Sequence, residues 1–190
     1  MIERLPALPD GTRAEADLCI IGGGAAGIAL ALKLRGSGLS VLLAESGGEA
    51  RDERAADLNR VTQVGQPFPG AVEGRARRLG GATTLWAGQS LPLDPIDFEP
   101  RDWVPHSGWP IPYAEVASRY AEAERFLRLD GMRYDHAAWH HLGEAPPPFD
   151  AAALRPQVSW LAKHRDFGAM YRAELAADAN TRVLLEATAT

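Results

Sequence analysis

Three glycines and one glutamate carry the first chemistry legible in this chain. They are Gly22-x-Gly24-x-x-Gly27 and Glu45, which stands 18 residues after the last glycine. The pattern suits the binding of a pyrophosphate. Gly22 permits a tight turn, Gly24 leaves no side chain between backbone and anion, and Gly27 lets a helix lie close against the preceding strand. Ala25 and Ala26 open that helix, where free N–H groups and the positive end of the dipole face an anion. Glu45 can accept hydrogen bonds from the hydroxyls of an adenosine ribose. A structural glycine turn would share the spacing, but the strand before, the helix after and the distal acid together favour a dinucleotide.

Those residues need elements to hold them. Asp17-Leu18-Cys19-Ile20-Ile21 reads as a buried strand, with Cys19 expected to be a buried, inert thiol. An apolar helix is predicted from Ala25 to Arg35, ended by Gly36-Ser37-Gly38. Leu39 to Ala44 is a second apolar strand that delivers Glu45.

Composition narrows the rest. The 190 residues suffice for one domain, or a domain with part of a second, and 46% hydrophobic content supports a packed core. A net charge of −5 argues against general affinity for nucleic acids or anionic membranes. One cysteine excludes an internal disulfide, which fits a reducing compartment. Met1 to Pro6 lacks the basic and apolar blocks of a secretory leader. No apolar run approaches the roughly 20 residues that span a bilayer. Cytoplasm is the expected location.

Along the chain, residues 1 to about 15 read as a polar, proline-containing lead-in, and Glu49 to Asn59 as a short exposed helix. Gln66 to Gly70 is a loop. In the stretch from Gly74 to Gly88, arginines 75, 77 and 78 alternate loosely with small residues before Gly80-Gly81. Spacing leaves two readings open: an arginine-bearing edge strand with a glycine turn, or a backbone loop approaching a phosphate or ring. Prolines make Leu91 to Pro100 extended. A helix is predicted from Tyr113 to Leu129, with Pro112 at its start and Val116, Tyr120, Ala123 and Leu127 on one face. The irregular stretch from Tyr134 to Asp150 contains His140-His141, but chain neighbours rarely face one ion and no Cys or HExxH pattern joins them. No metal site is expected. A strand from Gln157 to Leu161, a helix from Phe167 to Ala177 and a strand from Arg182 to Thr188 complete the chain.

From Leu79-Gly80-Gly81-Ala82-Thr83-Thr84-Leu85-Trp86 onward the chain resembles the glucose–methanol–choline (GMC) family of FAD oxidoreductases. The likeness extends through Pro92 to Phe98, Ser107-Gly108-Trp109-Pro110 and a helix ending Ala123-Glu124-Arg125-Phe126-Leu127. It implies an α/β, Rossmann-like FAD-binding domain with a parallel sheet, made of residues 15–90 and completed by the strand at 182–190. Residues 91–181 would begin a second, substrate-side region, incomplete here. The resemblance implies that Gly22, Gly24, Ala25, Ala26, Gly27, Glu45 and Ser46 hold the ADP half of FAD. Arg78, Gly80, Gly81, Thr83 and Thr84 would lie along the flavin and its pyrophosphate. The last strand, reaching Ala189, would offer backbone to the adenine.

Some relatives carry a flavin-linked histidine where this chain has Leu85, so non-covalent FAD is expected. The implied reaction is oxidation of a CH–OH group of an alcohol or sugar by hydride transfer to flavin, with oxygen, a quinone or a carrier protein as electron acceptor. The family's catalytic pair belongs to its C-terminal half. The base is therefore expected beyond Thr190, and none of His106, His136, His140, His141 and His164 is assigned that role. The chain would be the N-terminal part of a longer enzyme. Two other readings stand beside this one: a nicotinamide-dependent dehydrogenase, and a truncated nucleotide-binding fragment without activity.

Overall fold

Four parallel strands form the main sheet, in the order β1 (Ile2–Arg4), β6 (Thr181–Leu185), β3 (Val41–Ala44) and β2 (Leu18–Ile21). The structure is a computed structural model and describes residues 1–135, 137–150, 152–154 and 156–190. Leu18 pairs with Val41 and Ile21 with Ala44, while Val41 pairs with Thr181 and Ala44 with Leu184. This register aligns the strands' apolar alternation. Ile20, Val41, Leu43, Val183 and Leu185 are all buried. Helices α1 (Ala25–Lys33) and α7 (Phe167–Ala177) contact each other and the sheet, and Ile28, Ala31 and Leu175 are buried between them. The fold is Rossmann-like α/β.

The residues between the buried ones tell a different story. Ile21 is 73% exposed, and Cys19 is exposed rather than the buried thiol expected. The cause is its place in the sheet: β2 is an edge strand, and successive side chains point to opposite faces. Ile20 turns inward; its neighbours do not.

The lead-in also holds a strand that its polar sequence did not announce. β1 pairs with β6 through Ile2–Val183, Glu3–Leu184 and Arg4–Leu185. Ion pairs flank the pairing: Glu3 with Arg182 at 2.6 Å, and Arg4 with Glu186. The N-terminal ammonium donates to the Thr181 carbonyl at 2.8 Å. Two short helices follow β3, α2 (Glu53–Asp57) and α3 (Gly70–Glu73), the second beginning at the last residue of the predicted loop.

The chain divides into two units, Met1–Trp86 with Arg165–Thr190, and Ala87–His164. Within the second, β4 (Gln89–Ser90) pairs antiparallel with β5 (Trp160–Leu161). The helix predicted from Tyr113 to Leu129 is two helices, α4 (Tyr113–Ala117) and α5 (Tyr120–Leu127). The Ser118 hydroxyl donates to the Glu115 carbonyl at 2.7 Å, and Arg119 N–H bonds Val116 three residues back. Those local bonds tighten the backbone into a turn. Phe98 stacks against Trp109 and Tyr113, with ring centroids 5.6 and 5.4 Å away. In α6 (Ala138–Leu142), the His141 ring meets Trp160 edge-on. Among the described residues no group of three or more His, Cys, Asp or Glu is placed to hold a metal ion, and no helix is long and apolar enough to cross a membrane. His136 lies outside the described residues.

Candidate functional site

The first glycine motif uses its members differently. Gly22 turns the chain at φ +101, and its N–H donates to Ala44 at 2.7 Å, which fastens the turn to the end of β3. A Cβ on Gly27 would lie 2.0 Å from the Gly22 carbonyl oxygen. That is backbone against backbone, and no larger residue fits without separating α1 from the turn. Gly24 is the opposite case. It precedes α1 in an extended conformation, and a Cβ there would meet nothing within 4 Å. Open space therefore borders the start of α1, where the N–H groups of Ala25 and Ala26 have no acceptor within the helix.

Gly80 and Gly81 come to the same place from elsewhere in the chain. The Gly80 N–H donates to the Gly23 carbonyl at 2.8 Å, and a Cβ on Gly81 would lie 2.9 Å from Gly24 Cα. Both have positive φ, +98 and +54, at the entry to a 3-10 turn over Gly81–Thr84. The arginine-bearing segment from Gly74 to Gly80 forms turns and irregular backbone rather than an edge strand. Thr83, buried, donates from Oγ1 to the Gly80 carbonyl at 2.6 Å and accepts from the Phe167 N–H at 3.1 Å. Thr84 makes the neighbouring bond to Gly81 at 2.9 Å.

The start of α7 fixes this loop from the other side. A Cβ on Gly168 would lie 2.3 Å from the Leu79 carbonyl oxygen. Asp166 caps α7 by accepting from Ala169 at 2.9 Å, and its second oxygen accepts from Arg78 Nη2 at 3.3 Å. The Arg78 Nε is buried and without a partner among the described residues. Trp86 adds an indole N–H to the Arg165 carbonyl at 2.9 Å and an edge contact with the Phe167 ring.

Glu45 is 5% exposed. Its two oxygens accept from Gly23 N–H at 2.7 Å and Gly47 N–H at 2.9 Å. The carboxylate thus joins the glycine turn to the chain leaving β3, and each oxygen retains a further acceptor site. Ser46 accepts from Arg77 Nη1 at 2.9 Å, while Arg77 Nε donates to Asn59 at 2.8 Å. Beyond β6, Glu186 N–H bonds Gly47 and Ala187 N–H bonds Glu45, both at 2.9 Å. Ala189 lies two residues further and is exposed.

Gly22, Gly24, Ala25, Gly27, Glu45, Gly80, Gly81 and Thr83 are thus brought together, with Arg78 and Thr84 beside them. Asn59 and Asp166 were not anticipated, and Arg77 was noted only as one of three arginines in its segment. Their role is to connect segments distant in sequence, so no local spacing marks them.

No family model matches the chain. Two curated relatives do. It is 30% identical over 159 residues to the 6'''-hydroxyparomomycin C oxidase of Streptomyces lividus, and 33% identical over 151 residues to the paromamine 6'-oxidase of Streptomyces fradiae. Each alignment covers 73% of this chain. Over that span the chain is similar to oxidases of the GMC oxidoreductase family. It spans only 28% and 27% of the lengths of those two relatives. Among solved structures, a fungal aryl-alcohol oxidase aligns with 92% of this chain and 39% of its own, at 16% identity and a TM-score of 0.43.

Proposed function

We propose that the chain binds FAD non-covalently and is the flavin-binding portion of an enzyme that oxidises a CH–OH group of an alcohol or sugar. The observation carrying this reading is the meeting of the two glycine segments. Gly81 lies against Gly24 at a distance that excludes a side chain, and the space beyond Gly24 is open. Backbone from both segments can therefore approach one extended anionic group, as a dinucleotide pyrophosphate requires. The residues present fit the cofactor.

FAD, when bound, supplies the hydride acceptor for alcohol oxidation. The chain's own residues bind and orient. Ala25 and Ala26 would offer N–H groups to the pyrophosphate, and Arg78 and Thr84 would add polar contacts to the cofactor. Glu45 and Ser46 would hold the ribose, and Ala189 would offer backbone to the adenine. Leu85 has no nucleophile with which to form a covalent link to a flavin. The general base is proposed to come from outside these 190 residues. Both relatives are named as oxidases, one of 6'''-hydroxyparomomycin C and one of paromamine, which supports a small-molecule substrate, with oxygen, a quinone or a carrier protein as the acceptor.

The test is reconstitution of the purified chain with FAD, followed by absorbance and flavin fluorescence. Retention of flavin, and its weakening by Glu45→Ala, are expected. A preparation that ignores FAD and binds NADH would overturn the proposal. Unchanged FAD affinity in Glu45→Ala would reduce Glu45 to a structural acid at the strand end.

A further inference from the structure

A cavity of about 770 Å³ lies wholly within the Ala87–His164 unit, and nothing in flavin binding uses it. Its size falls in the range of small-molecule sites, roughly 300–1,000 Å³. Tyr113, Tyr120 and Tyr134 line it, with the first two ring centroids 6.4 Å apart. The Tyr120 hydroxyl makes one long bond to the Leu93 carbonyl, at 3.4 Å. The hydroxyls of Tyr113 and Tyr134 have no partner among the described residues, and neither has the half-buried carboxylate of Glu124, which also lines the cavity. Glu124 and Tyr134 feel each other: burial, and then the Glu124 charge, hold the Tyr134 phenol above its ordinary range. Arg133, a cation at the cavity wall, is bound to Asp135 at 2.7 Å and leaves Glu124 uncompensated.

These groups select a ligand by chemistry. An anion is repelled by Glu124. A wholly apolar ligand would cover one carboxylate and two phenols without giving them partners, which is unfavourable. A protonated amine satisfies Glu124 and is attracted to tyrosine ring faces. Ring hydroxyls satisfy the phenols, and the apolar face of a sugar lies on aromatic carbon. We propose that this cavity binds an amine-bearing sugar, its ammonium on Glu124 and its hydroxyls on Tyr113 and Tyr134. The site needs no flavin.

Calorimetric titration of the 190-residue chain with glucosamine, glucose, 1,4-diaminobutane and glucose 6-phosphate tests this. Glucosamine should bind about tenfold more tightly than glucose, a difference of about 1.4 kcal/mol, and glucose 6-phosphate should not bind. Glu124→Gln should abolish the preference for glucosamine, whereas Glu115→Gln, on the exposed side of α4, should keep it. Tyr134→Phe should weaken both sugars about threefold. Equal affinity for glucosamine and glucose, or a preference that survives Glu124→Gln in a chain with unchanged circular dichroism, would overturn the proposal. So would binding of neither sugar. The diamine binding as tightly as glucosamine would overturn the sugar part of it.

Discussion

In the Met1–Trp86 and Arg165–Thr190 unit, backbone touches backbone; in the Ala87–His164 unit, rings touch rings. The first unit brings Gly27 against Gly22, Gly81 against Gly24, Gly47 against Arg77 and Gly168 against Leu79, each too close for a Cβ at the first-named glycine to fit without movement. The second is held by Phe98, Trp109, Tyr113 and Tyr120 in a run of aromatic contacts, by Trp160 donating to Arg133, and by short helices. Its glycines at 131 and 143 have no neighbour that a Cβ would strike. Interlocked backbone admits one geometry, whereas aromatic surfaces accommodate small shifts. A site that must hold a rigid cofactor belongs in the first kind of region, and an adaptable cavity in the second.

Gly27→Ala tests that contrast most severely. The added carbon falls 2.0 Å from the Gly22 oxygen, with no flexible side chain to move aside. A loss of about 3 kcal/mol is expected, at the upper end of overpacking costs, measured by urea unfolding. A change below ~1 kcal/mol would mean that α1 and its turn adjust freely, and the contrast between the units would fail.

Thr83→Val comes next. It keeps the volume but removes the hydroxyl that serves both Gly80 and the Phe167 N–H. A buried donor left unpaired costs about 2 kcal/mol. Thr83→Ser should recover most of it, which separates the hydrogen bonds from the methyl packing.

Gly131→Ala probes the other unit. The residue has φ +74 and open surroundings, so only the backbone preference is lost. About 1 kcal/mol of destabilisation is expected. A larger loss would show that this unit, too, depends on close backbone contacts.

The sequence made the β2–α1–β3 core legible because each signal there is local. Apolar runs, a helix-ending glycine and GxGxxG all act within a few residues. Helix α7 was legible over its whole span, since an unbroken amphipathic stretch marks it from Phe167 to Ala177. β1 was not. Three residues including a glutamate and an arginine do not spell a strand, and what makes them one is the free edge of β6 and its ion pairs. The exposure of Cys19 depends on strand order, which no stretch of sequence encodes by itself. In the site, the glycines could be named from spacing, but Arg77, Asn59 and Asp166 act between segments up to 88 residues apart. Pairing at such separation is decided by the whole fold.

Gly24→Val separates fold from function most cleanly. The backbone there is extended, and the built Cβ enters empty space. Stability should change little, by about 0.5 kcal/mol, the usual scale for losing a glycine at a helix N-cap. Flavin affinity should nevertheless collapse, because the valine methyls occupy the approach to the N–H groups of Ala25 and Ala26. The same glycine motif would then give two opposite results: at Gly27 an unstable protein, and at Gly24 a stable one unable to hold its cofactor. Should Gly24→Val retain FAD, the open space at α1 is not where the pyrophosphate lies. The glycines would then be explained by folding alone.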